Sequence, residues 1–207
     1  MNKLIIFDLD GVLIDSKKIH FLALNKSLAN VDKKYIITKK EQKKFYEGLP
    51  TSEKLKILTK QKGLANNMYK IINQKKQEYV YEKFSKIKQD KELIKIFIYL
   101  KNNNFNIAVA SNSIRKTLDL CLSNLGISKY VDISFSNQDV KFSKPDPEIY
   151  IKILEHFNLS PNSAIIFEDS EIGIKAAKAS GANVVKIKKR SEISLKFMKK
   201  VVKRYFE

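Results

Sequence analysis

The sequence has little cysteine and little histidine, and both shortages exclude a kind of site. A single cysteine, Cys121, excludes an intramolecular disulfide in this chain of 207 residues. We expect this thiol to be a buried structural group on the apolar face of a helix. The two histidines, His20 and His156, form no cluster with it of the kind that binds zinc.

Long hydrophobic runs are also missing. No apolar stretch approaches the ~18 residues that are needed to span a bilayer, so we predict no membrane segment. The N-terminus leads directly into a predicted strand and leaves no room for a signal peptide. We therefore expect a cytoplasmic protein, either a monomer or a weak dimer.

Arginine is scarce, although the formal net charge is +18. Only three of the 40 basic residues are arginines, and the lysines are scattered along nearly the whole chain. Specific readers of bases and phosphates rely on the planar fork of arginine, so this composition argues against a dedicated nucleic-acid function. Weak adhesion to polyanions is compatible with it.

Apolar runs that alternate with helical patterns predict a parallel α/β fold. Strands are predicted at residues 4–7, 106–110, 131–135, 164–167 and 183–187. Helices are predicted at 91–101, at 114–125 with Ser113 as its cap, from Pro147 with Asp146 as its cap, at 171–181 and at 191–206. This alternation is typical of a doubly wound sheet with right-handed crossovers.

The segment from 16 to 88 shows helical patterns and no strand pattern. Its helices are predicted at about 17–30, 38–47, 51–60 and 66–88, with Ser16 as the cap of the first. We therefore predict two domains. An α/β core comprises residues 1–15 and 89–207, and an all-helical insert comprises residues 16–88.

Acidic and hydroxyl side chains follow the predicted strands. Asp8 and Asp10 end the first strand, and side chains two residues apart in an extended segment point the same way. Taken alone, this Asp-Leu-Asp-Gly run also fits an ordinary strand running into a turn. Ser111 ends a second strand, and Glu168 and Asp169 end another. The carboxyl ends of parallel strands meet at one edge, where open α/β folds bind ligands.

Charge at this edge favours a metal. Lys144 is expected there too, because its loop would arrive at the same edge. The proline after it holds its backbone extended, so that its side chain is oriented before the next helix begins. Each like-charge pair of carboxylates at ~4 Å costs on the order of 4 kcal/mol at an effective dielectric of about 20. A hard divalent cation relieves that repulsion, and Mg²⁺ suits an incomplete shell of carboxylates. One acid can then attack phosphorus while the acid two residues on transfers the proton.

The sequence resembles the haloacid dehalogenase-like superfamily of phosphatases over essentially its whole length. The resemblance is carried, in order, by Asp8-Leu9-Asp10-Gly11-Val12, Ser111-Asn112, Lys144-Pro145 and Glu168-Asp169-Ser170. The stretch from Glu168 to Ala177 is similar to the β-phosphoglucomutase and phosphoglycolate phosphatase branch. The resemblance implies a Rossmann-like parallel core with an inserted α-helical cap that closes over the crevice and selects the substrate.

The same resemblance implies roles for the motif residues. Asp8 would be the nucleophile that forms an aspartyl phosphate, and Asp10 would be the general acid and base. Ser111 and Lys144 would hold the transferring phosphoryl group, with Asn112 beside them in the substrate-binding set.

The resemblance also implies a Mg²⁺ site and a reaction. Asp8, Asp169 and the backbone carbonyl of Asp10 would hold the ion, with Glu168 in or beside its shell. The expected function is a Mg²⁺-dependent phosphatase acting on a small phosphorylated metabolite, such as a sugar phosphate or phosphoglycolate. A phosphosugar mutase of the β-phosphoglucomutase type is the alternative, and a basic binding module without turnover is a third.

Three residues of the helical insert are candidates for substrate selection. His20 keeps the spacing from the nucleophile that the mutases show, although it is equally compatible with a surface histidine of a helix. Glu47 and Thr51 lie in the segment that resembles a loop facing the active site, and each also fits an ordinary helix corner. Thr51 stands where the mutases carry an arginine, which counts against a bisphosphate intermediate.

Overall fold

The computed structural model describes residues 3–46 and 49–206. The chain forms two compact units. The core unit holds the chain up to Asp15 together with the part from Ser85 onward, and the helical unit is Ser16–Phe84.

Strands and helices alternate along the core unit. The described residues of the helical unit form helices and turns and no strand. In chain order they are β1 (Lys3–Asp8), α1 (Lys17–Ala29), α2 (Lys39–Glu41), α3 (Thr51–Lys62), α4 (Tyr69–Phe84), α5 (Lys91–Asn102), β2 (Phe105–Ala110), α6 (Arg115–Asn124), β3 (Ile133–Phe135), α7 (Glu148–His156), β4 (Ala164–Glu168), α8 (Glu171–Ala179), β5 (Asn183–Lys186) and α9 (Leu195–Phe206). Short 3₁₀ turns lie at Lys33–Tyr35, Asn66–Met68, Ser128–Tyr130, Pro161–Ser163 and Arg190–Glu192.

The five strands form one parallel sheet in the order β3-β2-β1-β4-β5. The central strand β1 pairs with β2, where Asp8 lies opposite Ala110, and with β4, where Phe7 lies opposite Phe167. Because helices cover both faces of such a sheet, the apolar residues of β1 are buried on either side. The predicted doubly wound parallel sheet is confirmed.

Two core helices begin later than the sequence patterns predict. Helix α7 begins at Glu148, and the N-cap position belongs to Pro147. The carboxylate of Asp146 nevertheless accepts the N–H of Glu148 at 2.9 Å, so the expected capping bond forms one residue early. The last helix, α9, begins at Leu195 because a 3₁₀ turn at Arg190–Glu192 precedes it.

The helical unit packs around its own apolar cluster, which includes Leu24, Leu28, Tyr46, Leu55 and Leu58. The helix predicted at 38–47 is a single α turn, Lys39–Glu41, that continues as a π-helix over Gln42–Tyr46. The helix predicted at 66–88 is a 3₁₀ turn followed by α4, which ends at Phe84.

Ser16 occupies the N-cap position of α1, as predicted, but its side chain makes no capping bond. Its buried hydroxyl has no hydrogen-bond partner in the part of the chain that the structure describes. Across residues 3–46 and 49–206, no helix combines the length and the hydropathy that crossing a bilayer requires.

The buried thiol of Cys121 provides a test of this core packing. Cys121 is fully buried on α6, and burial raises the pKa of its thiol. We expect the native protein to react very slowly with a thiol reagent such as Ellman's reagent, because only the thiolate attacks and neither form is accessible. The same protein in urea is the control and should react at the rate of a free cysteine. Complete labelling of the native protein within minutes would contradict this burial.

Candidate active site

Two acids end neighbouring strands at the centre of the sheet. Asp8 is the last residue of β1, and Glu168 is the last residue of β4. The chain runs from β1 through β2 and β3 on one side and then crosses to β4 on the other side. The carboxyl ends of β1 and β4 therefore flank the position at which the strand order reverses, where open α/β sheets form their ligand crevice.

The ammonium of Lys144 lies between these two acids. Its Nζ donates to Asp8 Oδ1 at 2.7 Å, to Glu168 Oε1 at 2.7 Å and to the carbonyl of Ala110 at 2.9 Å. All three side chains are buried. Burial opposes the charge on Lys144, but the carboxylates of Asp8 and Glu168 outweigh it and hold the pKa of this lysine well above its usual range.

Both oxygens of Glu168 accept hydrogen bonds. Oε1 accepts from Lys144 and from the hydroxyl of Tyr150 at 2.8 Å. Oε2 accepts from the backbone N–H groups of Asp169 and Ser170, at 3.0 and 3.3 Å. Glu168 is thus fixed from both sides and in turn fixes Lys144.

Two partners of Glu168 were not identified from the sequence. Tyr150 lies on the buried face of α7, where an aromatic residue at helical spacing looks like ordinary core. Gly173 lies in the first turn of α8, and a Cβ at this position would overlap the Glu168 carboxylate. Glycine is therefore required there by the close approach of that carboxylate.

Asp8 shares a charged environment with its neighbours. Burial, together with the nearby carboxylate of Glu168, raises the pKa of Asp8 well above its usual range, against the opposing effect of Lys144. One carboxylate oxygen from each of Asp8, Glu168 and Asp169 lies within 4.8 Å of the others. Such a set of hard oxygen donors fits a divalent cation of the Mg²⁺ type, which would favour the ionised form of Asp8.

The turn after β1 lies against Asp169. Gly11 has a φ of +95°, and a Cβ on it would overlap the Asp169 carboxylate. The backbone of the turn is held by Gly11, whose N–H donates to the carbonyl of Ile14 at 2.7 Å. This close approach brings the Asp-Leu-Asp-Gly segment next to Asp169, the residue directly after β4.

Asp10 is bound by the hydroxyls that follow β2. Ser113 Oγ donates to Asp10 Oδ2 at 2.9 Å, and Ser111 Oγ lies 3.4 Å from the same oxygen. The prediction that Ser113 caps helix α6 is wrong: the N-cap position is Ile114, and no side chain caps it. A sequence pattern could not show this contact, because Ser113 meets Asp10 only after β1 and β2 pair.

Asn112 holds the backbone of Lys144. Its Nδ2 donates to the carbonyl of Lys144, and its Oδ1 accepts the N–H of Lys144, each at 3.1 Å. The side chain expected in the substrate-binding set therefore orients the lysine in this structure. The Ser111-Asn112 motif indicated that Asn112 belongs to the site, but it did not show that Asn112 binds the backbone of Lys144.

The candidates for substrate selection lie within the helical unit. The ring of His20, on α1, packs edge-on against Phe84 with 5.8 Å between the ring centroids. Thr51 is the first residue of α3, and its hydroxyl accepts a hydrogen bond from Lys76 Nζ at 2.9 Å. Glu47 lies outside the described residues.

Comparison with known proteins identifies relatives of this chain. A family model described as haloacid dehalogenase-like hydrolase matches residues 5–187. A phosphorylated carbohydrates phosphatase of Thermotoga maritima is 30% identical over 180 residues, covering 86% of this chain and 81% of the relative. A β-phosphoglucomutase of Bacillus subtilis is 29% identical, covering 86% and 80%.

A solved structure shows the same fold. The crystal structure of a β-phosphoglucomutase from Clostridium difficile matches with a TM-score of 0.78, covering 99% of each chain at 22% identity.

The hydrogen bond from Tyr150 to Glu168 provides a test of the site. Replacing Tyr150 with Phe removes one donor from a buried carboxylate, and hydrogen bonds to charged groups contribute about 2 kcal/mol. We expect Tyr150→Phe to lower the free energy of unfolding by about that amount, measured by urea denaturation.

Tyr46→Phe is the matched control. Tyr46 is also buried, and its hydroxyl donates at 3.2 Å to Gln61, an uncharged acceptor. Its loss should cost about 1 kcal/mol or less. If Tyr150→Phe were no more destabilising than Tyr46→Phe, the Tyr150 hydroxyl would not be a significant support of Glu168.

Proposed function

The chain belongs to the haloacid dehalogenase-like hydrolases, and from this premise we propose that it is a Mg²⁺-dependent phosphatase acting on a small phosphorylated carbohydrate or a similar metabolite. The observation that carries the proposal is the buried ammonium of Lys144, 2.7 Å from both Asp8 and Glu168, with Asp10 two residues beyond Asp8. The relative named phosphorylated carbohydrates phosphatase supports the substrate class.

Asp8 is the proposed nucleophile. Lys144 holds one of its oxygens at 2.7 Å, which fixes the orientation of the carboxylate. Asp8 attacks phosphorus, the bond from phosphorus to the ester oxygen breaks, and an aspartyl phosphate forms. The charge of Lys144 at this position also attracts the phosphoryl oxygens.

Asp10 is the proposed general acid and base. It donates a proton to the departing alcohol oxygen, then accepts a proton from the water that hydrolyses the aspartyl phosphate. Phosphate leaves, and Asp8 is regenerated. The hydroxyls of Ser113 and Ser111 lie 2.9 and 3.4 Å from Asp10 Oδ2 and orient this carboxylate.

Asp8, Asp169 and the carbonyl of Asp10 are the proposed Mg²⁺ ligands. Glu168 is better placed beside the shell, because its oxygens already accept hydrogen bonds from Lys144, Tyr150 and backbone amides. When bound, Mg²⁺ supplies positive charge that stabilises the phosphoryl oxygens and the ionised acids.

The helical unit, Ser16–Phe84, is the proposed cap domain. His20, Glu47 and Thr51 are its proposed contributors to substrate selection. A phosphosugar mutase is the second candidate function, and the similarity to a β-phosphoglucomutase favours it. Threonine at position 51, in place of the arginine expected of such mutases, favours the phosphatase.

A phosphate-release assay tests this function. With Mg²⁺ and a panel of sugar phosphates and phosphoglycolate, we expect the wild-type chain to release inorganic phosphate. Asp8→Asn should lower release by about 10³-fold or more, because an amide cannot form the aspartyl phosphate. Asp15→Asn is the control, since Asp15 is an exposed acid of the same segment and should leave the rate unchanged.

The products distinguish the two candidate functions. Conversion of one hexose phosphate to another with little free phosphate would identify the mutase and overturn the phosphatase. Full activity of Asp8→Asn would remove Asp8 from the nucleophile role.

A metal titration tests the assignment of Asp169. Asp169→Asn removes a charged oxygen ligand, so the Mg²⁺ concentration for half-maximal activity should rise by about tenfold or more. Mg²⁺ should also raise the melting temperature of the wild type, and less so that of the variant. Glu171→Gln is the control, because its exposed side chain pairs with Lys186. An unchanged titration for Asp169→Asn would contradict its role as a ligand.

A further inference from the structure

The loop that delivers Lys144 has no regular secondary structure. It runs from the end of β3 at Phe135 to the start of α7 at Glu148. A loop of this length has to be held by specific contacts if it is to place an ammonium between two buried carboxylates. The contacts at its start centre on an arginine and an aspartate that neither the motifs nor the proposed chemistry involves.

Arg115 is the first residue of α6, directly after the segment that carries Asn112 and Ser113. Its Nη1 donates to Ser134 Oγ, and its Nη2 donates to the carbonyl of Ser134, both at 2.8 Å. Nη2 also donates to the carboxylate of Asp139. One guanidinium therefore joins the start of α6 to the last residues of β3 and to the loop.

Asp139 lies within the loop and binds its first residue. The same carboxylate oxygen that Arg115 contacts accepts from the backbone N–H of Ser136 at 2.7 Å and from the Ser136 hydroxyl. These hydrogen bonds and the guanidinium lower the pKa of Asp139 despite the opposing effect of burial. Asp139 is thus an ionised acceptor that closes the first turn of the loop.

Backbone groups reinforce the same junction. The N–H of Asn137 donates to the carbonyl of Ser113 at 3.1 Å, and the N–H of Arg115 donates to Gln138 Oε1 at 2.8 Å. At the other end of the loop, Asn112 binds the backbone of Lys144 on both sides. Both ends of the loop are therefore hydrogen-bonded to the short segment between β2 and α6 or to the first residue of α6.

We propose that Arg115 and Asp139 form a positioning pair that fixes this loop so that Lys144 enters the site between Asp8 and Glu168. The proposal rests on the proposed function and deepens it, because it assigns a role in the reaction to two residues that touch no reacting group. Without the pair, the loop start loses its side-chain link to α6 and keeps only the contacts of Asn137 and Gln138. The end of the loop then depends on Asn112 and on Glu148, which accepts the N–H groups of residues 141 and 142. Misplacement of a charged group by ~1 Å can cost on the order of 10²-fold in rate.

Lysine cannot replace Arg115 in this arrangement. The guanidinium uses two nitrogens in a fixed plane to reach acceptors on two segments, whereas an ammonium is a single point of donation on a flexible stem. Arg115→Lys therefore keeps the positive charge but removes the simultaneous hydrogen bonds to Ser134 and Asp139. It is the variant that tests the proposal most directly.

We expect Arg115→Lys to lower kcat by about tenfold or more and to change KM by less than about threefold. Amide hydrogen exchange of residues 136–147 should become faster, while exchange in the sheet and in α8 stays unchanged. Asp139→Asn should give the same result. The double variant should be no worse than either single one, because the two residues act as one unit.

Asp119→Asn is the matched control. Asp119 also contacts Arg115, at 3.4 Å, but it lies one turn along α6 and is not part of the loop. The substitution removes a charge next to the same guanidinium, and it should leave both kcat and the amide hydrogen exchange of the loop unchanged. Unchanged loop exchange or unchanged kcat in folded Arg115→Lys would overturn the proposal, as would equal effects of Asp119→Asn.

A variant that does not fold and a wild type without activity can each be distinguished from failure of the positioning pair. If Arg115→Lys does not fold, Ser136→Ala decides the question, since it removes one hydrogen bond to Asp139 and should speed exchange of the same loop. If the wild type releases no phosphate, the proposed function fails. Unchanged loop exchange in the variants overturns the positioning pair in either case.

Discussion

The structure depends on one buried interaction, the ammonium of Lys144 held between Asp8 and Glu168. An isolated charge in such a place would be strongly unfavourable, and removing one member of a buried ionic group leaves the others uncompensated. When both acids are ionised, two carboxylates and one ammonium leave a formal excess of one negative charge. The three side chains are therefore hydrogen-bonded, and their remaining negative charge still attracts a cation. A site for a metal ion and a phosphoryl group requires both properties.

Much of the surrounding architecture serves this interaction. The central strands bring Asp8 and Glu168 to the same edge, and the glycine at position 173 lets the Glu168 carboxylate lie against α8. The hydroxyl of Tyr150 and two backbone amides occupy the remaining acceptor sites of Glu168. Each of these features would be ordinary alone, and together they fix the one position in which the lysine amine is fully bonded.

The sequence was most informative where function and local pattern coincide. Apolar runs that alternate with helical patterns predicted the parallel sheet. The acids at the ends of two of those runs predicted the site, because a buried strand and its terminal carboxylates are adjacent in the chain. It was least informative about contacts made between distant segments. Ser113 looked like a helix cap and binds Asp10, and Tyr150 looked like core and binds Glu168. Nothing in the spacing of Arg115 and Asp139 showed that they meet, since their contact exists only after β2 and β3 pair.

The composition explains why the few arginines are informative. Lysine covers the surface of this chain, where a flexible point charge is sufficient, and its abundance says little about partners. Two of the three arginines instead join separate segments. Arg115 joins α6 to the loop after β3, and Arg190 donates to the carbonyls of Leu13 and Ile193 and to the carboxylate of Asp90. Lysine can therefore be abundant over the surface, whereas at these two positions the planar guanidinium reaches acceptors on separate segments from more than one nitrogen.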